Sequence, residues 1–326
     1  MILIYNPSHD AAYNLAFEEY ALTAMQQDII MLWRNENAII VGKNQNALEE
    51  IDMEYVREKD ITVIRRQSGG GAVFHDLGNI NFTVIHALGE NDFHDYRKFT
   101  DPVIAFLKTL GVAAELSGRN DLLIDGMKFS GNAQAVKKGR IMHHGTLLFS
   151  ADFTRLAACL QPHPAKFTSK GIKSVRSRVT NISDHLPVSM TVEAFLAQLY
   201  AYYLAHTPEL EPYAISPQDD QCVRTLVAEK YGLWSWNFGQ SPTYDYQNAI
   251  AFPCGVVDLR IRAEAGIIRD ATIYGDFFGM KDKAGLEQQL VGVCHEKECV
   301  RAALAGVDLS QYIAGMTADD FLQLIE

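Results

Sequence analysis

Apolar positions along this chain fall into two rhythms. Residues 10 to 27, DAAYNLAFEEYALTAMQQ, place Ala11, Leu15, Ala16, Leu22 and Met25 mostly three or four apart. That spacing predicts an amphipathic helix, with Ser8 or Asp10 as its N-cap. The runs IIMLWR, AIIVGK, ITVIRR and INFTVI are short and rich in β-branched residues, and the last sets Ile80, Phe82 and Val84 against Asn81, Thr83 and Ile85. They predict strands. RKFTDPVIAFLKTLG, about 97 to 111, reads as a helix with Pro102 in its first turn and Gly111 after its end. From DLLIDGMKFSGNAQAVKKGRIMHHGTLLFSADF a hairpin is expected: a strand to Ile124, a turn at Asp125-Gly126, a strand through Lys128, then a connection to GTLLFS. Strands and helices without a regular βαβ rhythm point to α+β.

At 326 residues the chain exceeds what one core usually supports, so two domains are expected. The polar, turn-rich stretch near 237 to 252 suggests where they divide: a domain over 1–242, a linker over 243–252 and a smaller α+β domain over 253–326, with a turn at Ala265-Gly266 and two helices near its end. The formal net charge of −11 argues against a general nucleic-acid binder. No apolar run is long enough for a membrane helix, and the opening MILIYNPSHD does not read as a secretory signal, which makes the cytoplasm the expected compartment. Five cysteines without a CxxC pair are expected to be reduced thiols, and the C-x4-C spacing of CHEKEC fits no common zinc knuckle.

The chemistry concentrates at RRQSGGGAVFHDLGN, residues 65 to 79. Three successive glycines between strands let the backbone approach a ligand and present N–H groups as an anion nest. The sequence matches neither the P-loop nor the dinucleotide fingerprint. Strand alternation lets only one of Arg65 and Arg66 face inward, so the other is expected in solvent. His75 and Asp76 after the loop read as local hydrogen bonding. Further on, residues 153 to 183 hold no acid but six bases, Arg155, Lys166, Lys170, Lys173, Arg176 and Arg178, which suggests a flap over a polyphosphate.

RRQSGGGAVFHDLGNINF, GRNDLLIDGMKFSGNAQ, HHGTLLF, KGIKSVRSRVTN and WSWNFGQSPTY, in this order, resemble the lipoate–protein ligases of the two-domain bacterial form. The resemblance implies a large mixed-sheet catalytic domain like that of biotin and lipoate ligases, with a small accessory domain. It implies two steps: free lipoate attacks ATP to give lipoyl-AMP, and a lysine of an apo lipoyl domain, from an E2 subunit or the glycine cleavage H protein, then takes the acyl group. By the same resemblance Lys128 is the central electrostatic residue. Arg66 and the main chain of Gly71, Ala72, Val73 and Phe74 line the nucleotide site, and Asn79 reads the adenine. Ser68, Lys128 and His144 contact lipoate, and Asp121 holds the Mg2+ that accompanies ATP. A monomer without a structural metal is expected. Two other readings stay open: an acyltransferase of the same fold, for which Cys159 is the candidate nucleophile although its apolar helical setting reads as a core thiol, and a non-catalytic adapter for lipoyl domains.

Overall fold

A computed structural model of the chain describes residues 1–118, 120–159, 179–238, 246–264 and 266–325. Among the described residues fourteen strands form three sheets. In chain order they are β1 (Ile2–Tyr5), β2 (Ile29–Trp33), β3 (Ala38–Val41), β4 (Thr62–Arg65), β5 (Val73–His75), β6 (Asn79–Ala87), β7 (Glu115–Ser117), β8 (Asp121–Ile124), β9 (Met127–Lys137), β10 (Arg140–Leu148), β11 (Glu211–Tyr213), β12 (Tyr246–Phe252), β13 (Gly255–Glu264) and β14 (Ile267–Gly275). The large sheet has the order β11-β1-β2-β6-β10-β9-β8-β7, and a small one has the order β4-β3-β5. Both mix parallel and antiparallel pairs, so the architecture is α+β.

The large sheet is covered on one side by the Tyr96–Thr109 and Val192–His206 helices, which bury Phe106, Leu107, Phe195 and Leu199 with Phe82 and Phe129. The Ala11–Thr23 helix packs Leu15, Phe17 and Leu22 into a second core with Trp33, Ile40 and Ile64, and so clamps the small sheet to the large one. Its N-cap is Asp10, which accepts from the amides of Ala12 and Tyr13. The three strands β12, β13 and β14 hold a separate core with the Ala284–Leu290 and Lys297–Ala303 helices and short turns beyond them. Among the described residues no helix is long and apolar enough to cross a membrane.

Several expectations change. The second strand of the hairpin does not stop near Lys128; it runs to Lys137, turns at Lys138-Gly139 and returns as β10, because Ala133 and Ala135 pair with His144 and Met142. Pro102 sits inside its helix rather than in the first turn, since the helix begins at Tyr96. Within the expected linker, Tyr246–Phe252 forms β12 of the C-terminal sheet and 243–245 lie outside the described residues. Of the Ala265-Gly266 turn only Gly266 is described. Cys294 and Cys299 are not both free thiols: the loop between the Ala284–Leu290 and Lys297–Ala303 helices folds back on Ile267 and Ile268, bringing the two Cα atoms to 5.7 Å in a disulfide. Cys159, Cys222 and Cys254 are not in a disulfide. Alkylation of the urea-unfolded protein without reductant is expected to label three thiols, and five after reduction; five in both conditions would remove the bridge.

Candidate active site

The floor of the cavity beneath the glycine loop is one row of residues across the large sheet. Trp33 on β2 is opposite Asn81 on β6, and Asn81 is opposite Thr146 on β10. Thr146 Oγ1 accepts from the amide of Gly131 on β9, which is opposite Asp121 on β8. All five line the cavity, whose volume is about 350 Å³. Four inter-strand steps make the row about 19 Å long. Its β2 end is apolar, with Leu15, Trp33, Ile40 and Val73, whereas its β8 end carries Asn120, Asp121, Lys128 and Asn132. A cavity apolar at one end and charged at the other suits a ligand built the same way.

The roof is the glycine loop between β4 and β5. Arg66 shapes it: its guanidinium donates to the carbonyls of Ile40 (3.0 Å), Gly69 (2.6 Å) and Gly71 (2.9 Å), and its Nε to Ser68 Oγ (3.0 Å). With those carbonyls turned onto Arg66, the amide N–H groups of Gly70, Gly71 and Ala72 have no partner among the described residues. They form the expected nest. Gly70 adopts φ of 92°, and an added Cβ would lie 2.8 Å from Arg66 Nη2, so this position needs glycine. Around Gly71 there is open space, which leaves that backbone bare to the cavity.

Arg65 is not in solvent. It is as buried as Arg66, and its donors converge on the carbonyls of Gly42, Lys43, Gln45, Trp236 and Asn237. Carbonyls from two distant segments replace water around the charge. Burial lowers both guanidiniums to about 10.

Lys128 Nζ lies 2.8 Å from Asp121 Oδ1 at the charged end, with its side chain about a third exposed. Its ammonium folds back over Gly131, 2.9 Å from where a Cβ would stand, so the glycine of KFSG makes room for it. Val179 and Thr180 return to the backbone of Lys128, and the Thr180 amide donates to its carbonyl. Of the six bases in the expected flap, Arg155 packs on the Phe74 ring at 4.9 Å, and the other five lie outside the described residues.

Arg66, Gly71, Ala72, Val73, Asp121, Lys128 and His144 thus surround one cavity. Three expected site residues do not reach it. Phe74, expected there through its main chain, is not in the lining, and its side chain packs in the core of Ile39, Val41 and Ile51. Asn79 is buried behind the wall and donates to Asn81 Oδ1 at 3.0 Å, so Asn81 takes the wall position. Ser68 supports from behind: its Oγ lies 2.7 Å from His144 Nε2, and His144 Nδ1 lies 2.9 Å from Glu18 Oε1. Cys159 is fully buried among Ile51, Val56 and Phe74, and burial raises its thiol to about 11, which unfits it as a nucleophile.

The sequence reading missed four contributors. Glu18 orients His144 from the Ala11–Thr23 helix. Asp276 and Phe278 reach the wall from the C-terminal part, where the Phe277 carbonyl presses on Gly69, the Gly275 amide donates to Asn44 O and Lys43 pairs with Asp282. Glu19 accepts from Lys137, Lys230, Tyr231 and the loop residue Gln67, all within 3.0 Å. For magnesium the carboxylates lining the cavity are Asp121 and Asp276, and among the described residues no cluster of three or more His, Cys, Asp or Glu side chains could hold a metal. That set fits an ion that brings its other ligands on a polyphosphate.

Burial alone would raise the Glu19 pKa, but the hydrogen bonds from Lys137 and Lys230 outweigh it and hold the carboxyl below its ordinary value. A depressed folded value contributes stability above the unfolded pKa of 4.5, and that contribution is lost as pH falls through the folded value. Glu19→Gln should therefore be less stable than wild type at pH 7 and show a flatter stability curve below about pH 4.5, measured by urea unfolding. Parallel curves would exclude this role.

Comparisons with known proteins agree with the geometry. The family model for the lipoyl protein ligase A/B catalytic domain matches residues 10–204, and that for the bacterial lipoate protein ligase C-terminus matches 241–325. The chain is 43% identical to lipoate-protein ligase LplJ of Bacillus subtilis over the full length of both, and 40% identical to lipoate–protein ligase 1 of Staphylococcus aureus over 97% of each. Among solved structures, LipL1 of P. falciparum in complex with lipoate shares the fold, with a TM-score of 0.76 at 23% identity over 99% of this chain and 96% of that one. A lipoate-protein ligase A bound with ATP superposes with a TM-score of 0.62 at 27% identity, covering 73% of this chain and 97% of that one. The chain belongs to the lipoate–protein ligase family.

Proposed function

We propose that this lipoate–protein ligase activates lipoate with ATP in the cavity beneath the glycine loop and passes the acyl group to a lysine of an apo lipoyl domain. The observation that carries the reading is the polarity of the five-strand row: an apolar end for the acyl tail, and a nest of free amides with Lys128 for the carboxylate and phosphates. In the first step a carboxylate oxygen bonds to the α-phosphorus and pyrophosphate leaves. Two anions must meet, and the loop amides with the Lys128 ammonium offset their repulsion without reorganising. In the second step a neutral lysine amine attacks the acyl carbon, AMP leaves and the amine gives up a proton. Lys128, a compact cation on a flexible stem, can follow the developing charge in both steps. Asp121 would hold a magnesium ion entering with ATP, and that ion would supply charge neutralisation.

The structural neighbour from Thermoplasma acidophilum, a bi-partite ligase described with its E2 lipoyl domain, is 29% identical with a TM-score of 0.64 over 75% of this chain and 98% of that one. It supports lipoyl domains as acceptors here. The two family models also support a division into a catalytic part and a C-terminal part near residue 241. An acyltransferase through Cys159 is not favoured, because that thiol is sealed in a core and held protonated.

Lys128→Ala should fold as wild type yet lose about 10²–10³ in lipoate-dependent ATP–pyrophosphate exchange. Exchange within a few-fold of wild type would remove Lys128 from the adenylating step.

A further inference from the structure

The strand that carries Lys128 changes face partway along. Between β8 and β9 the register places Ile124 opposite Met127 and Leu123 opposite Lys128, then Leu122 opposite Ser130 and Asp121 opposite Gly131. One residue, Phe129, is extra, which makes a β-bulge. Lys128 and Gly131 are three apart, so a regular strand would send them to opposite faces, yet both line the cavity. The bulge reconciles the two. It lets Lys128 share a face with Asp121 and Gly131, while Phe129 enters the core with Leu122, Ile124 and Phe82. A slip that removed the extra residue would end this sharing, because each one-residue shift exchanges the faces of a strand.

Buried polar groups fasten this bulge. The hydroxyl of fully buried Ser130 accepts from Asn132 Nδ2 at 3.2 Å, and the same nitrogen donates to the Asn120 carbonyl at 3.1 Å. A carbonyl can only accept, so the Asn132 amide has one orientation, and its Oδ1 takes the hydrogen of His143 Nε2, 3.1 Å away. The far side of the ring agrees: Gln134 Oε1 accepts from the His94 amide at 2.7 Å, which leaves Gln134 Nε2 to donate to His143 Nδ1 at 3.4 Å. The ring is fully buried against Phe99, with centroids 4.6 Å apart, and burial drives its pKa well below the ordinary value, so it stays neutral. Asn132 also grips Asn120 through its backbone, the amide donating to Asn120 O at 3.0 Å and the carbonyl accepting from Asn120 Nδ2 at 2.5 Å. One residue thus ties the bulge and the start of β8, where Asp121 meets Lys128, to a ring held at both nitrogens.

We propose that Ser130, Asn132 and His143 are positioning residues that hold the bulge, so that the Lys128 ammonium stands in the cavity beside Asp121. They act through Lys128 rather than on the substrate. The inference rests on the reading of Lys128 given above and adds what places it.

The test is a double-mutant cycle on the affinity of a non-hydrolysable lipoyl-adenylate analogue, measured by calorimetry. Ser130→Ala and His143→Phe each remove one hydrogen bond of the set, and in the wild-type background each should weaken binding roughly three- to tenfold. In Lys128→Ala the same substitutions should cost less than about twofold, since the group they position is gone. His143→Gln, whose amide can still donate to Asn132, should bind within about twofold of wild type. Losses that are equal in the two backgrounds, or absent from both, would overturn the proposal. Should the variants not fold, nuclear magnetic resonance of the ¹⁵N-labelled wild type decides the matter. The proposal requires cross-strand Overhauser contacts of Leu123 with Lys128 and the Nε2–H tautomer at His143; a regular ladder with Leu123 facing Phe129, or an Nδ1–H tautomer, overturns it. If Lys128→Ala alone binds the analogue as tightly as wild type, the reading of Lys128 fails and this inference fails with it.

Discussion

The site depends on one guanidinium gripping the chain just after itself. Arg66 enters the loop from β4 and bonds the carbonyls of Gly69 and Gly71, with a further bond to Ile40. Each carbonyl turned toward Arg66 turns the neighbouring amide the other way, toward the cavity. The geometry explains the bare sequence: Gly70 must take a left-handed conformation, Gly71 leaves its backbone open, and Gly69 lies so close to the Phe277 carbonyl that a Cβ would stand 2.2 Å from it. The charge is held in place because Ser68, His144 and Glu18 support the same loop from beneath.

The sheet supplies the second constraint. A row that crosses five strands is rigid along its length, since each step is a ladder of backbone hydrogen bonds, and its polarity is set by which strand contributes which side chain. The small sheet lies over its apolar end through Ile40, Val73 and His75, while β8 and β9 bring Asp121 and Lys128 to the other. The C-terminal part closes the remaining side with Asp276 and Phe278, so the cavity wall is assembled from both ends of the chain. Long-range contacts of this kind position groups well but leave little trace in local sequence.

Much of the frame was legible. Short β-branched runs located β2, β3 and β4, alternation located β6, Asp125-Gly126 marked the hairpin, and the RRQSGGGAVFHD and KFSG segments marked the loop and the lysine that line the same cavity. What failed did so for physical reasons. Arg65 was expected in solvent because alternation sees one strand, whereas its burial depends on carbonyls at 42–45 and 236–237 converging on it. The pairing of Glu18 with His144 joins a helix to a strand 126 residues away. His75 read as a local turn residue, whereas its Nδ1 lies 3.1 Å from the amide of Asn35, which Asn14 holds in turn. The disulfide escaped because a five-residue separation becomes bridgeable only once the loop folds back on β14.

The most direct measurement of the central claim is the affinity of a non-hydrolysable lipoyl-adenylate analogue for wild type and for Arg66→Lys, by calorimetry. Lysine keeps the charge but lacks the planar fork that holds several carbonyls at once. If the loop amides are arranged by that fork, the variant should fold and bind the analogue at least about tenfold more weakly, the equivalent of one or two lost charge-assisted hydrogen bonds. Unchanged affinity in a folded Arg66→Lys would contradict the account, because the nest would then form without the interaction said to create it.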